Sequence, residues 1–351
     1  MQRALQLGWR GWGRVHPNPM VGAVLLRDGA MLSEGYHSEF GQPHAEAVAL
    51  SHVAHESRGA TLVVTLEPCA HQGKQPPCVD RIIEAGIVRV VAAMPDPNPL
   101  AAGAVARLRE AGIPMEIGLM QERAESQNAA FLHQFRGQER PFVALKLATS
   151  LDARIADRAG SSRWISGAEA REFVHWLRAG FDAIGVGGRT ARVDDASLTV
   201  RGEITPRCAP RRVVFTRTGD LSPSSRLLST AHDAPVIIAQ NGPASLGALD
   251  YTETNGVTIV RGNTLAELMR ELWTAGVTSL LIEGGGELAG GLLEASLVDR
   301  FYWIQAPVWL GDRGIPAFQG IPAPLLGTAE RWHPVERRAL GEDTLLVLDR
   351  R

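Results

Sequence analysis

One histidine, two cysteines and a glutamate stand at spacings that suit metal-assisted hydrolysis. His44 and Glu46 are separated by one alanine, in Pro43-His44-Ala45-Glu46. Cys69 and Cys78 bracket the eight residues Ala70-His71-Gln72-Gly73-Lys74-Gln75-Pro76-Pro77. One imidazole and two thiolates give zinc three protein ligands and leave a fourth tetrahedral position for water. That is the ligand count of a catalytic site rather than a closed structural one. Glu46 is placed to carry protons for that water. Each residue also has a plainer use: a core histidine, two small buried thiols, and a first-turn glutamate facing a helix dipole. A closed structural zinc is another use of the set, with His71 as its fourth ligand.

The elements around these residues must bring them together. A mid-helix pair two residues apart points to opposite sides, so His44 and Glu46 can share one water only from a first turn. Pro43 favours a helix start there, and the apolar spacing carries that helix from His44 through Ala54. Thr61 to Leu66 reads as a central strand whose end delivers Glu67-Pro68-Cys69. Cys78 opens a helix over 79–85, closed by Gly86. The partial positive charge at its start favours a thiolate. Residues 1–13 read as a short helix and 17–26 as a buried strand. Asp28-Gly29 turns the chain into a strand ending near Tyr36. Strands at 87–93 and 114–117, with helices around 105–110 and 121–135, complete an α/β layer. Arg136 to Pro141 is the linker candidate. A second α/β alternation follows. It has strands at 142–148, 182–187, 212–216, 235–239, 257–260, 278–282, 300–306, 332–337 and 343–349, and helices at 168–179, 264–275 and 286–295.

The totals set bounds. A length of 351 residues suggests two domains. Hydrophobic residues make up 45% and charged residues 21%, which fits buried cores and argues against disorder. A net charge of −2 provides no basic footprint for nucleic acid. Two of the three cysteines fall in the motif, so no disulfide framework is expected and a reducing cytoplasm fits. No signal segment or bilayer-length apolar run is expected.

His-x-Glu followed by a Pro-Cys word is the signature of zinc nucleobase deaminases, there with two residues between the cysteines. The longer word here, Glu67-Pro68-Cys69-Ala70-His71-Gln72-Gly73-Lys74-Gln75-Pro76-Pro77-Cys78, closely resembles the deaminase half of the bifunctional riboflavin-biosynthesis deaminase/reductases. The resemblance implies that His44, Cys69 and Cys78 hold Zn2+ and that Glu46 is catalytic. It also implies that Asn18, His37 and Lys74 line the pyrimidine and ribose-phosphate pocket. Taken alone, Asn18 suits a turn and Lys74 a solvated loop cation. Asp96-Pro97-Asn98-Pro99 reads equally as an Asx-capped turn or a pocket wall, and the loop at Gly103 is one residue shorter than is usual in the family.

The second half carries words similar to that family's reductase domain, which is dihydrofolate-reductase-like and uses NADPH. By this resemblance Ala148, Trp164, Thr190, Asp194, Gly285, Gly286, Gly290 and Gly291 face the cofactor. Ser162, Arg178, Leu198, Arg201 and Glu283 face the substrate, the arginines being suited to phosphate. Lys146 is the candidate to steady the C1′ oxygen during hydride transfer; a strand-edge cation is its plainer role. A glycine cluster between a strand and a helix can also hold phosphate on backbone N–H groups, although glycines alone make only a tight turn. Ala153 stands where the family usually has Gly, and Ala196 where it has Pro.

The expectation is an α/β chain of two domains. The first, 1–138, is a cytidine-deaminase-like α/β/α layer. The second, 141–351, is a dihydrofolate-reductase-like α/β domain. Its cofactors are Zn2+ and NADPH. Its substrate is a phosphorylated pyrimidine, deaminated and then reduced, with no nucleic-acid or membrane partner, in a cytoplasmic dimer or tetramer. A deaminase with a degenerate reductase, and a nucleic-acid-editing deaminase, are the alternatives.

Overall fold

The structure, a computed structural model, describes residues 1–72, 76–101, 103–242, 256–322 and 324–350. It divides into two compact units: Met1–Gln138 with Pro206–Cys208, and Glu139–Thr205 with Ala209–Arg351. No helix among the described residues is long and apolar enough to cross a membrane.

The first unit is built on β1 (Gly22–Arg27), β2 (Ala30–Tyr36), β3 (Thr61–Val64), β4 (Arg89–Ala92) and β5 (Met115–Ile117), in the order β2-β1-β3-β4-β5. Asp28 and Gly29, at φ 54° and 80°, make the tight turn of the β1–β2 hairpin. β1 lies antiparallel to β3, and β3, β4 and β5 are parallel. Helices α2 (Ala45–Ser51), α3 (Cys78–Glu84) and α4 (Ala104–Glu110) bury Ala49, Ile82 and Leu108 against Leu25, Leu62 and Val90 of one sheet face. Leu5 of α1 (Gln2–Gly8), Ala124 of α5 (Gln121–Gln127) and Leu132 of α6 (Ala129–His133) pack with Leu66 and Met94 on the other side. The result is the expected three-layer arrangement.

The expected helix over 44–54 stops at Ser51. The single helix over 121–135 is two, parted at Asn128, whose φ of −106° and ψ of 23° leave the helical region. Its buried side chain accepts from Met20 N at 2.8 Å and donates to Met20 O at 3.1 Å. A tertiary pairing thus overrides a continuous helical pattern.

The second unit carries β6 (Phe142–Thr149), β7 (Arg154–Ala156), β8 (Ala183–Gly187), β9 (Arg211–Thr216), β10 (Val236–Asn241), β11 (Val257–Gly262), β12 (Ser279–Glu283), β13 (Arg300–Gln305), β14 (Ile315–Pro316), β15 (His333–Leu340) and β16 (Asp343–Asp349). Nine of these form one sheet in the order β11-β10-β9-β8-β12-β6-β13-β16-β15. It is parallel from β11 to β13, and β16 and β15 close it antiparallel. The helices are α7 (Ala168–Ala179), α8 (Gly188–Asp194), α9 (Arg226–Ser229), α10 (Leu265–Thr274) and α11 (Gly286–Glu294). Leu145, Leu147 and Ile282 join Leu268, Leu272 and Leu292 in a core under α10 and α11. Strand alternation sends Lys146 and Glu283 to the opposite face. There Ile184, Val186 and Val214 pack with Leu198 and Leu227.

Every strand expected in the sheet is present. The short pieces β7, β14, α8 and α9 were not foreseen. β7 and β14 pair only with each other, and α8 lacks an apolar period. Ala153, in the family's glycine position, sits at φ 56°. That left-handed conformation costs an L-residue roughly 1–2 kcal/mol.

Candidate active sites

In the first unit the metal-type site is assembled from three elements. His44 caps α2 in an extended conformation, φ −69° and ψ 159°, and Glu46 falls in the first turn, as sharing one water requires. Gly35 of β2 permits this placement. A Cβ there would lie 2.5 Å from both the Ala45 oxygen and the Ala49 nitrogen, so only a glycine lets α2 rest so close. The end of β3 leads to Cys69, and Cys78 is the first residue of α3.

His44 Nδ1 stands 3.6 Å from Cys69 Sγ and 3.3 Å from Cys78 Sγ. The three ligand atoms all lie within 4.8 Å of one another. Zinc bonds of about 2.1 Å to nitrogen and 2.3 Å to sulfur, at tetrahedral angles, separate such donors by roughly 3.6 Å. The donor set therefore fits zinc. His71 is not part of the cluster, which leaves the open-site reading ahead of the closed one.

Glu46 is buried, 4% exposed, and burial pushes its carboxyl above the ordinary range. Cys78 is the first residue of α3, where the sequence expects a thiolate to be favoured. The Cys78 side chain, His44 and the Cys78 backbone N–H lower the pKa of Cys69 against the effect of burial. The bond to Cys69, with burial, raises that of Cys78. The backbone N–H at the start of α3 thus also serves the neighbouring sulfur.

Asn18 and His37 meet beside this cluster. Asn18 Nδ2 is 3.0 Å from His37 Nε2, and His37 Nδ1 is 3.1 Å from the Pro43 oxygen. The His37 ring meets His44 edge-on, with centroids 5.7 Å apart. Lys74 lies outside the described residues. Asp96 forms the expected Asx turn, accepting from Asn98 N at 2.9 Å. Its own N–H donates to Glu67 at 3.4 Å. Burial pushes Asp96 up to about 6, opposed by the Asn98 N–H and aided by the nearby Glu67 and Cys69. Glu67, which enters the sequence reading only as part of the Glu-Pro-Cys word, is buried here.

In the second unit, Lys146 and Glu283 face each other in register on β6 and β12. Arg178 of α7 donates to Glu283 twice, Nε at 2.5 Å and Nη2 at 2.9 Å. Its Nη1 donates to the Thr199 oxygen at 2.8 Å, which ties down the loop carrying Leu198 and Arg201. Burial raises the Glu283 carboxyl, but Arg178 more than reverses this and holds it below its ordinary value. Burial pulls Lys146 down, opposed by Glu283 and aided by Arg178. Tyr302, in register with Lys146 across β13, shares this face; the sequence marked it only as strand. Arg201 donates to Ser197 Oγ at 2.6 Å and Thr199 Oγ1 at 3.2 Å. Leu198, at φ 50°, buries its side chain in the core, so it can offer a ligand only its backbone.

The cofactor candidates divide. Gly284 and Gly285, at φ 71° and 86°, turn β12 into α11, where Gly286 is the first residue. A Cβ on Gly285 would lie 3.4 Å from Thr190 Oγ1 of α8, so these two residues meet. Gly290 and Gly291 lie inside α11. A Cβ on Gly290 would stand 2.0 Å from the Gln319 oxygen, so close packing alone requires glycine there. The Asp194 oxygen accepts from Arg163 at 3.0 Å. Ala148 lies at the half-buried end of β6. Ser162 and Trp164 stand exposed ahead of α7, with the Arg171 guanidinium 4.6 Å over the Trp164 ring.

Comparison with known proteins covers both units. Residues 1–94 match the family model of the cytidine and deoxycytidylate deaminase zinc-binding region, and residues 141–346 match that of the RibD C-terminal domain. The chain is 40% identical to riboflavin biosynthesis protein RibD of Haemophilus influenzae, over 99% of this chain and 95% of that one. It is 38% identical to RibD of Escherichia coli, over 99% and 98%. Among solved structures, Acinetobacter baumannii RibD superposes with TM-score 0.84 at 35% identity, covering 100% of this chain and 97% of that one. A Thermotoga maritima diaminohydroxyphosphoribosylaminopyrimidine deaminase/5-amino-6-(5-phosphoribosylamino)uracil reductase gives 0.85 at 33%, with the same coverage. The chain belongs to the RibD family of bifunctional riboflavin-biosynthesis enzymes, in which a zinc deaminase precedes an NADPH-dependent reductase.

Proposed function

We propose that residues 1–138 deaminate diaminohydroxyphosphoribosylaminopyrimidine and that residues 141–351 reduce the resulting 5-amino-6-(5-phosphoribosylamino)uracil. The observation that carries this reading is the set His44, Cys69 and Cys78 with Glu46 in the adjoining first turn. Zinc at these ligands supplies a Lewis acid that makes water nucleophilic near neutral pH. Glu46 takes one proton of the attacking water to the ring nitrogen, then carries the second, from the hydroxyl added to the ring carbon, to the departing amine, which leaves as ammonia. Its raised pKa suits a group that must both accept and donate. Asn18 and Lys74 hold the substrate.

In the second unit NADPH, when bound, would supply a hydride for C1′ of the sugar. As the C1′–O bond opens, Lys146 gives its proton to the leaving oxygen. Glu283, fixed by Arg178, holds the lysine in place. Arg201, Arg178 and Ser162 take the phosphate end, with the backbone of Leu198. Thr190, Asp194, Ala148, Trp164 and the turn at Gly285 and Gly286 hold the cofactor.

Cys69, Cys78 and Cys208 are free thiols, which supports a reducing cytoplasm. Family likeness supports a homo-oligomer, a dimer or tetramer. The test is an assay of ammonia release and NADPH oxidation on the purified zinc-loaded protein. Glu46→Gln should abolish ammonia release while zinc stays bound and the reductase, given its own substrate, still oxidises NADPH. Retained ammonia release would overturn the assignment.

A further inference from the structure

His37 decides which atom of Asn18 a ligand meets. The ring is buried, 3% exposed, and each of its nitrogens faces one partner, the Pro43 oxygen and the Asn18 Nδ2 amide. A neutral imidazole has one donor nitrogen and one acceptor. At 3.1 Å from Nδ1 stands the Pro43 carbonyl oxygen, which can only accept. Nδ1 therefore carries the hydrogen, and Nε2 presents a lone pair. Asn18, 3.0 Å from Nε2, must turn its Nδ2 amide toward that lone pair. The opposite orientation would set two acceptors against each other. Asn18 Oδ1 is then left over, and no donor among the described residues is bonded to it.

We infer that His37 is a positioning residue that fixes the Asn18 amide with Oδ1 free, so that Asn18 accepts a hydrogen bond from an N–H or O–H of the pyrimidine nucleotide. This rests on the reading of Asn18 as a substrate residue. The anchor of the relay is well chosen. Pro43 immediately precedes His44, so the carbonyl that sets the tautomer belongs to the segment that carries the metal ligand. The chain from Pro43 through His37 to Asn18 thus ties a substrate group to the frame of the metal site.

The test is a double-mutant cycle on the deaminase of the full-length zinc enzyme. Asn18→Ala and His37→Leu should each raise KM by about tenfold, the loss of one oriented hydrogen bond, with a smaller change in kcat. His37→Leu in the Asn18→Ala background should add nothing, because the histidine acts through the asparagine. His37→Gln offers Pro43 a donor and Asn18 an acceptor, so it should recover most of the wild-type KM. Zinc content and reductase rate should not change in the Gln variant. Additive losses in the double variant would overturn the inference, since His37 would then act on the substrate directly. A His37→Gln enzyme as poor as His37→Leu would also overturn it. If Asn18→Ala alone leaves KM untouched, the underlying reading of Asn18 fails instead.

Discussion

The backbone N–H of Cys78 points at the sulfur of Cys69 from 3.4 Å away. The Cys78 side chain and His44, with that bond, favour the charged form of Cys69, while the bond to Cys69 and burial disfavour that of Cys78. In protein stripped of metal, one ultraviolet thiolate band should persist to lower pH than an ordinary thiol allows, and be lost as pH falls through the lowered pKa of Cys69. Cys69→Ala should remove that band. Cys78→Ala takes away the strongest donor to Cys69, so its band should vanish at a higher pH. Equal, ordinary thiol titration in all three proteins would contradict the asymmetry.

Gly35 acts on the metal site without touching it. A methyl group there meets backbone atoms of α2 at 2.5 Å, and backbone cannot swing aside as a long side chain can. Gly35→Ala should push away the turn that carries His44 and Glu46. Zinc affinity should drop by tenfold or more and ammonia release with it, a displacement of under an ångström being enough to spoil a three-ligand site. Competition with a chelator measures this. Unchanged affinity would show that α2 can shift without cost.

Much of the metal site was legible in the sequence because its residues come as words whose spacing is itself chemical. Pro43 and the two-residue offset of His44 and Glu46 already demanded a first-turn placement, and α2 provides it. The sheet of the second unit was legible for a similar reason: long apolar runs make buried parallel strands. What escaped depends on distant partners. Nothing local in Gln121 to Phe135 shows that Asn128 pairs with the backbone of Met20. Nothing in Leu198-Thr199-Val200-Arg201 shows that Leu198 turns into a core with Ile184 while the Thr199 carbonyl goes to Arg178. The Tyr302 ring reads as core until its register with Lys146 is known. Ala153 was recognisable as a departure, but only its φ of 56° gives the departure a physical cost.

Arg178 and Glu283 form a largely buried, two-pronged ion pair, with side chains 14% and 11% exposed. Removing one partner from such a pair leaves the other charge unpaired, which costs about 3–5 kcal/mol. Arg178→Ala should destabilise the second unit by that order in denaturant unfolding and abolish NADPH oxidation. Arg178→Lys should rescue little, because an ammonium cannot reproduce the planar fork to the carboxylate and also reach the Thr199 oxygen. Ammonia release should survive in any variant that stays folded. Loss of both activities in a folded variant would mean that the division of labour at residues 138–141 is wrong.

Lys146 gives the reductase a pH signature. Burial is the largest influence on it and lowers its pKa from the ordinary 10.5; Glu283 raises it again and Arg178 lowers it. If the ammonium is the form that protonates the sugar oxygen, activity is full at pH values below that lowered pKa and falls as pH rises through it. The alkaline limb of kcat/KM for NADPH oxidation should therefore lie below the ordinary lysine value. Glu283→Gln removes the carboxylate that favours the charged lysine, so the limb should move to still lower pH, with a reduced plateau. The deaminase, measured as ammonia release, should show no such displacement in that variant. A reductase profile that stays flat past the ordinary lysine pKa, or a limb that moves upward in Glu283→Gln, would exclude Lys146 as the proton donor and leave it a structural cation in the strand.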